Sequence, residues 1–370
     1  MKEYEAHSAQ ISLAKVFSSV TLLGPPMSEK VVKLVAHLFS PGEAEVARHL
    51  PFYYPRSLAT IAKRAKRNPD EIKPMLDEMS RRRVIYGGPK GYSLLPLIPG
   101  MFEYMLMTGV DSEWHRKYAE MINDLVATGF MGNLANRPIP AVRNIPVQKI
   151  IEGQSRVLDA DLISEMIDRH EYFSVANVCQ CRQSLHFTGH KCKRSKPEDG
   201  CLVFGSFARD FEENGSGRAV SKEEMRDIVT ERWEKKLIFL TANVSPSSPN
   251  AICTCCDCCC HFVEVINNFG GKVLMAAPHF FAVVDESLCD DCGKCSMCCN
   301  THAHTYKNKT HQFDRDKCIG CGICVATCKR SAITMVENPA YKPPSEDLKK
   351  LGLKLFPTTA LAGLKAKLTR

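Results

Sequence analysis

The first third of the chain alternates helical stripes with breaks. Residues 1–25 read as a short helix closing at Gly24-Pro25-Pro26, and a second helix is predicted over residues 28–39 with Ser28 as N-cap. Leu58, Ile61, Ala62 and Ala65 lie on one face of a helix opened by Ser57. Asn68-Pro69 is a cap followed by a first-turn proline, and Ile72, Met75, Leu76 and Met79 repeat the i, i+3, i+4, i+7 stripe. Proline inside a helix removes a hydrogen bond and crowds the preceding turn, so Pro74 moves the expected start of this helix to about Lys73. The period then changes: Val84-Ile85-Tyr86, a glycine-rich turn over 87–91 and Tyr92-Ser93-Leu94-Leu95 predict a hairpin. Residues 101–175 return to helical spacing between prolines. One stripe is Tyr118, Met121, Ile122, Leu125, Val126 and Phe130; another is Leu162, Ile163, Met166 and Ile167, and both read as packing faces. Further on, Ser221-Lys222-Glu223-Glu224 is a capping box and Leu237-Ile238-Phe239-Leu240 a strand.

Helix, helix and hairpin in that order resemble a winged-helix domain. The formal charge of +8 is uneven: residues 56–91 hold ten Lys and Arg against four Asp and Glu, and residues 341–370 hold seven against two. Lys63, Arg64, Arg67, Arg82 and Arg83, together with Lys66, Arg81 and Lys90, are candidates to meet phosphates. Asp70, Glu71, Asp77 and Glu78 on the presumed recognition helix repel phosphate, so a protein-docking module is favoured over DNA binding.

Composition changes the picture through one residue type. Of 370 residues 19 are Cys, and all lie between Cys179 and Cys328. An odd number excludes complete intramolecular pairing. Met1-Lys2-Glu3-Tyr4-Glu5 carries no signal-like apolar run, and no stretch is long enough to span a bilayer, so a cytoplasmic, thiol-reducing setting is expected. Clustered thiols in that setting point to metal.

Cys289-Asp-Asp-Cys292-Gly-Lys-Cys295-Ser-Met-Cys298-Cys299 contains C-x2-C-x2-C-x3-C with Cys299 as fourth thiol, and Cys318, Cys321, Cys324 and Cys328 repeat it. Three close thiolates can wrap three corners of an iron–sulfur cubane, whereas structural zinc usually takes two separated C-x2-C pairs. Gly293, Gly320 and Gly322 permit the tight turns. Residues 285–336 resemble bacterial-type two-cluster 4Fe–4S ferredoxin domains. The resemblance implies that one cluster takes Cys289, Cys292, Cys295 and Cys328, and the other Cys318, Cys321, Cys324 and Cys299. The family usually has Pro after the fourth Cys; here Asn300 and Lys329 stand there, so the local turns are expected to differ. Lys329 and Arg330 would favour the reduced cluster. Cys298 is left as a spectator thiol.

Ten thiols remain: Cys179, Cys181, Cys192, Cys201, Cys253, Cys255, Cys256, Cys258, Cys259 and Cys260. Neighbouring side chains diverge, so the 253–260 run is expected to divide its sulfurs between sites. One or two additional iron–sulfur clusters are the leading expectation, with a non-cubane cluster, zinc and redox-active free thiols as alternatives; His261 is read as structural. Cys179-Gln180-Cys181-Arg182, two single Cys, the C-x-C-C-x-C-C run and the ferredoxin end together resemble a family of multi-cluster iron–sulfur proteins of anaerobic bacteria and archaea, over residues 28–340. Asp257 stands where that family commonly has Gly. The resemblance implies cofactor class and electron transfer, not a substrate.

The expected fold is α+β and multidomain: a leader (1–27), a winged-helix-like domain (28–98), a helical linker (99–175), a Cys-rich iron–sulfur domain (176–275), a ferredoxin-like two-cluster domain (276–340) and a basic tail (341–370). Lys349, Lys350, Lys354, Lys365, Lys367 and Arg370 of that tail are candidates to dock an acidic redox partner. No dinucleotide or P-loop signature occurs, so no NAD or flavin site is evident and the chemistry served is expected on a partner oxidoreductase. A redox-responsive DNA-binding regulator, and an oxidoreductase with an open iron site between Cys179 and Cys260, are the alternatives. A cubane held by four thiolates carries about −2 in its oxidised state. The holo-protein should therefore focus well below the apo value of about 8.6; an anaerobic isoelectric point as basic as that would contradict the cluster reading.

Overall fold

The computed structural model describes residues 6–19, 24–52, 54–130, 139–146, 163–245, 247, 250–269, 274–355 and 357. It divides into two compact units: residues 1–131, 183–190 and 359–370, and residues 132–182 and 191–358. Among the described residues no helix is long and apolar enough to cross a membrane.

The first unit contains helices α1 (Ser8–Phe17), α2 (Glu29–Leu38), α3 (Pro41–Ala47), α4 (Leu58–Ala65), α5 (Pro69–Arg81), α6 (Phe102–Leu106) and α7 (Glu113–Val126), with strands β1 (Tyr86–Gly88) and β2 (Gly91–Ser93). Side-chain caps fix the starts: Ser28 accepts from Val31, Ser57 from Thr60 and Asn68 from Asp70. The sequence reading passed over α3, although Ser40 and Glu43 form its reciprocal capping box. Ile61, Ala62, Ile72, Leu76 and Met79 are buried, as their spacing predicts.

Three expectations need correction. Helix α5 runs unbroken through Pro74 from its cap at Asn68. Pro74 and Asp70 are both exposed, so the carbonyl that loses its partner faces water and the break is tolerated. The hairpin is tighter than expected, its first strand beginning two residues later and its second one residue earlier, with Tyr86 opposite Ser93. Arg56 pairs with Tyr92 through two backbone hydrogen bonds and adds a one-residue bridge at the hairpin edge. Gly91, at φ 105°, is required there, because a Cβ would stand 1.9 Å from the Arg56 carbonyl oxygen. Finally, the stretch read as helical over 101–175 also supplies two strands, β3 (Val142–Ile145) and β4 (Phe173–Ala176). Both are short and apolar, a pattern that periodicity alone does not separate from a buried helix. Leu162 lies outside the described residues.

The second unit is built on a six-stranded antiparallel sheet. Its strands β3, β4, β5 (Leu202–Phe204), β6 (Gly217–Val220), β7 (Ile238–Ala242) and β8 (Ala251–Cys255) run in the order β3-β7-β8-β5-β4-β6. Phe173, Phe204, Phe239, Leu202 and Ile252 are buried in it, and the helix Gly205–Glu213 packs across β4, β5 and β6. The helix Lys222–Glu234 starts at the predicted cap, Ser221 accepting from Glu224. This core continues without a break into Cys295, Ile319, Ile323 and Cys324 of the ferredoxin-like end.

A buried ion cluster locks the sheet to its helices. Asp199, 3% exposed, pairs with Arg232 and, at 2.7 Å, with Lys235. Hydrogen bonds from Lys235, Ser195 and Arg232 outweigh the opposing effect of burial and hold its carboxyl at about 2. A carboxyl lowered on folding stabilises above its unfolded pKa, and that stabilisation is lost as the pH falls from about 4 towards 2. Asp199→Asn should cost about 3 kcal/mol at neutral pH, because it leaves the buried Arg232 without its close carboxylate, whereas the half-buried Lys235 keeps Glu231 at 2.6 Å. Urea unfolding of the anaerobically purified chain checks this; an unchanged midpoint would count against it.

Candidate metal centres

The carboxyl-side end repeats one local design. Strand β9 (Phe280–Val284) pairs antiparallel with β12 (Ile333–Glu337), Val284 opposite Ile333. Between them lie the short helix Lys294–Cys298, the hairpin of β10 (His304–Lys307) and β11 (Thr310–Phe313), and the short helix Ile323–Thr327. The two short helices pack together. Each opens on a left-handed glycine, Gly293 at φ 70° and Gly322 at φ 75°. Each closes on an extended cysteine, Cys299 at φ −79°, ψ 108° and Cys328 at φ −78°, ψ 103°. The backbone therefore repeats one turn-and-helix unit that the two sequence runs foreshadow.

Cys299, the last thiol of the first run, lies beside the second. Cys299, Cys318, Cys321 and Cys324 line one cavity. Burial raises the thiols of Cys318, Cys321 and Cys324, and the charge of Cys299 adds to the effect in all three. The Ala303 N–H donates to Cys299 Sγ at 3.2 Å. On the other side, Arg330 lies 3.9 Å from Asp290, which brings the segment after Cys328 to the loop of the first run. There Cys292 is exposed, while burial pushes Cys295 up to about 11. His311 stands 3.9 Å from Cys289 Sγ and 2.8 Å from His304, whose imidazole burial holds down at about 4. This histidine pair, which no spacing announced, shares a 4.8 Å sphere with Cys295. The spectator Cys298 is buried and donates to the Cys295 carbonyl at 3.3 Å.

The other ten thiols separate into two groups by strand register. Leu202 opposes Ile252 in the β5–β8 ladder, so Cys201 meets Cys253, Sγ to Sγ 3.5 Å. The Ala176 N–H bonds to the Cys201 carbonyl and brings the Cys179-Gln180-Cys181-Arg182 turn to the same end of the sheet. Cys255 and Cys260 lie 3.2 Å apart. A small cavity is lined by Cys179, Cys181, Cys253, Cys255 and Cys260, and Arg182, Cys256 and Cys259 border it from the side of the second group. The neighbouring Cys181 thiol, and then the Arg182 guanidinium, draw Cys179 down to about 7.

The second group is Cys192, Cys256, Cys258 and Cys259, whose sulfurs all lie within 4.8 Å of one another. The expected division of the 253–260 run is present, since adjacent Cys255 and Cys256 face different groups. Adjacent Cys258 and Cys259, however, point the same way, 3.6 Å apart. They sit in a turn over 257–259 and not in a strand, so their side chains do not alternate.

Arg182 links the two groups. Its guanidinium, 2% exposed, donates to the carbonyls of Asp199 and Thr254 and lies 4.0 Å from Cys256 Sγ. Among the described residues no carboxylate pairs with it. A buried cation facing sulfur and carbonyl oxygen fits a site whose thiols carry negative charge on metal. Asp257 pairs with Arg194 at 2.8 Å, and the Asp257 N–H donates to Asn300 Oδ1 at 3.0 Å. Asn300 also donates to the Lys236 carbonyl at 2.8 Å. The two departures from family patterns, Asp257 and Asn300, thus meet in one contact.

Three of the nucleic-acid candidates have partners within their own unit. Arg82 pairs with Glu43 and donates to the Leu38 carbonyl, Arg67 is held by Glu71, and Arg83 lies over the Tyr104 ring. Lys63 and Arg64 are exposed. In the tail, Lys349, Lys350 and Lys354 are exposed, while Lys365, Lys367 and Arg370 lie outside the described residues.

Comparison with known proteins bears on the ferredoxin-like end. Residues 311–334 match the family described as a 4Fe-4S binding domain. The chain is also 38% identical over 56 residues to the pyruvate synthase subunit PorD of Methanothermobacter marburgensis. That stretch is 15% of this chain and 65% of that protein, less than two thirds of its length. No solved structure matches the chain. The thiol spacing, the repeated glycine-to-cysteine turns and this match agree that the chain carries a ferredoxin-type iron–sulfur domain.

Proposed function

We propose that this chain is an electron-transfer subunit that passes single electrons through several iron–sulfur clusters to a partner oxidoreductase. The observation that carries the reading is the position of Cys299 among Cys318, Cys321 and Cys324. It supports two 4Fe–4S clusters with exchanged fourth ligands, one on Cys289, Cys292, Cys295 and Cys328, the other on Cys318, Cys321, Cys324 and Cys299. A further iron–sulfur cluster is assigned to the group of Cys179, Cys181, Cys201, Cys253, Cys255 and Cys260. When bound, such clusters supply one-electron transfer at potentials tuned by burial and by hydrogen bonds to sulfur. The exposed Cys292 makes the first run the port at which electrons enter or leave, and the exposed lysines of the tail suit an acidic partner. Likeness to a protein named as a pyruvate synthase subunit supports a place within a larger assembly.

The helix–helix–hairpin of the first unit is assigned as a winged-helix-like docking module. The internal pairing of Arg67 and Arg82 favours protein over DNA. No retardation of random duplex DNA is expected at low salt, where phosphate contacts are strongest. A salt-sensitive shift would revive the regulator reading.

Anaerobic iron and sulfide analysis should give about twelve of each per chain, for three cubanes. Cys321→Ser should remove about four irons and leave the rest. Fewer than about eight irons in the wild type would overturn the two-cluster ferredoxin end.

A further inference from the structure

The geometry points to a metal site of a different kind: we propose that Cys192, Cys256, Cys258 and Cys259 bind a single tetrahedral zinc ion, separate from the iron–sulfur clusters. The spacing of the sulfurs carries the argument. Cys192 Sγ lies 3.6 Å from Cys256 Sγ and 3.7 Å from Cys258 Sγ. Cys258 Sγ lies 3.7 Å from Cys256 Sγ and 3.6 Å from Cys259 Sγ. Four thiolates about 2.3 Å from one tetrahedral ion stand ~3.8 Å from each other. A cubane places each thiolate on its own iron corner and spreads the same four sulfurs to ~6 Å. The four sulfurs have the size of the first arrangement.

The ferredoxin-like end supplies the contrast within the same unit. Among the described residues, no three of its eight assigned cysteines gather within 4.8 Å, whereas all four of these do. In the neighbouring group sulfurs come this close only as pairs, Cys201 with Cys253 at 3.5 Å and Cys255 with Cys260 at 3.2 Å, and among the described residues no three of them gather within 4.8 Å.

The surroundings also suit a closed thiolate site. The Lys193 N–H donates to Cys258 Sγ at 3.4 Å, and Arg182 approaches Cys256 Sγ. Four thiolates on a divalent cation leave a charge of about −2, of which the buried Arg182 offsets about half. Arg194, two residues after Cys192, pairs with Asp257 between Cys256 and Cys258 and closes the same loop from outside. All four coordination positions are filled by sulfur, so the ion has no open position for substrate and no redox role. Its work is to staple the loop at Cys192 onto the turn after β8, beside the group assigned to the third cluster.

The test uses the full chain purified without oxygen. Metal analysis of the wild type should find one zinc per chain in addition to iron, and zinc-edge X-ray absorption should show four sulfurs at about 2.3 Å. Cys192→Ser should lose the zinc while keeping the iron content and the visible absorbance of the wild type. Zinc-free wild-type protein would overturn the proposal even if the variant fails to fold. So would loss of iron in place of zinc from Cys192→Ser, whether of one atom or four. The iron count of the wild type tests the clusters independently, so failure here leaves the electron-transfer reading standing.

Discussion

Sulfur charge is what the second unit is arranged to hold. Nineteen cysteines fall within one stretch of 150 residues, and many of them are buried. A buried thiolate without a cation is costly, and a buried neutral thiol wastes its chemistry. Burial raises Cys318, Cys321 and Cys324, and each gains further from its charged neighbours, so only a metal makes their ionised forms favourable together. Arg182 expresses the same constraint from the other sign, as a buried cation with carbonyls and sulfur around it.

The scaffold answers this with regular structure. Register in the β5–β8 ladder delivers Cys201 to Cys253 across 52 residues of chain. Paired glycine turns and paired short helices deliver the two ferredoxin runs to each other. Asn300 and Asp257 then tie the two thiol-bearing regions together, which is why neither family pattern predicted them separately. Proline at 300 would have no side-chain amide to accept the Asp257 N–H or to reach the Lys236 carbonyl.

Much of the site was legible before the fold. The tandem C-x2-C-x2-C-x3-C spacing identified the ferredoxin end, because three thiols so close in sequence can hardly avoid sharing a cluster. The 253–260 run announced its division between two groups, since side chains in a strand alternate. Its detail escaped the same rule, because Cys258 and Cys259 occupy a turn. The histidine pair His304 and His311 left no signal, being joined only by the β10–β11 hairpin. Basic residues at 56–91 suggested phosphate contact, yet Arg82 is spent on Glu43, 39 residues away.

Local chemistry in the sequence was sufficient for the caps at Ser28, Asn68 and Ser221, the buried faces of α4 and α5, and the cofactor class. These depend on residues within a turn or two of each other. Strands β3 and β4, the partition of ten thiols and the meeting of Asp257 with Asn300 depend on pairing across long stretches of chain. Such pairing follows from which strands neighbour which in the sheet, and short apolar segments carry no label of their partner. Tertiary structure alone decided those, and with them which sulfurs lie beside which.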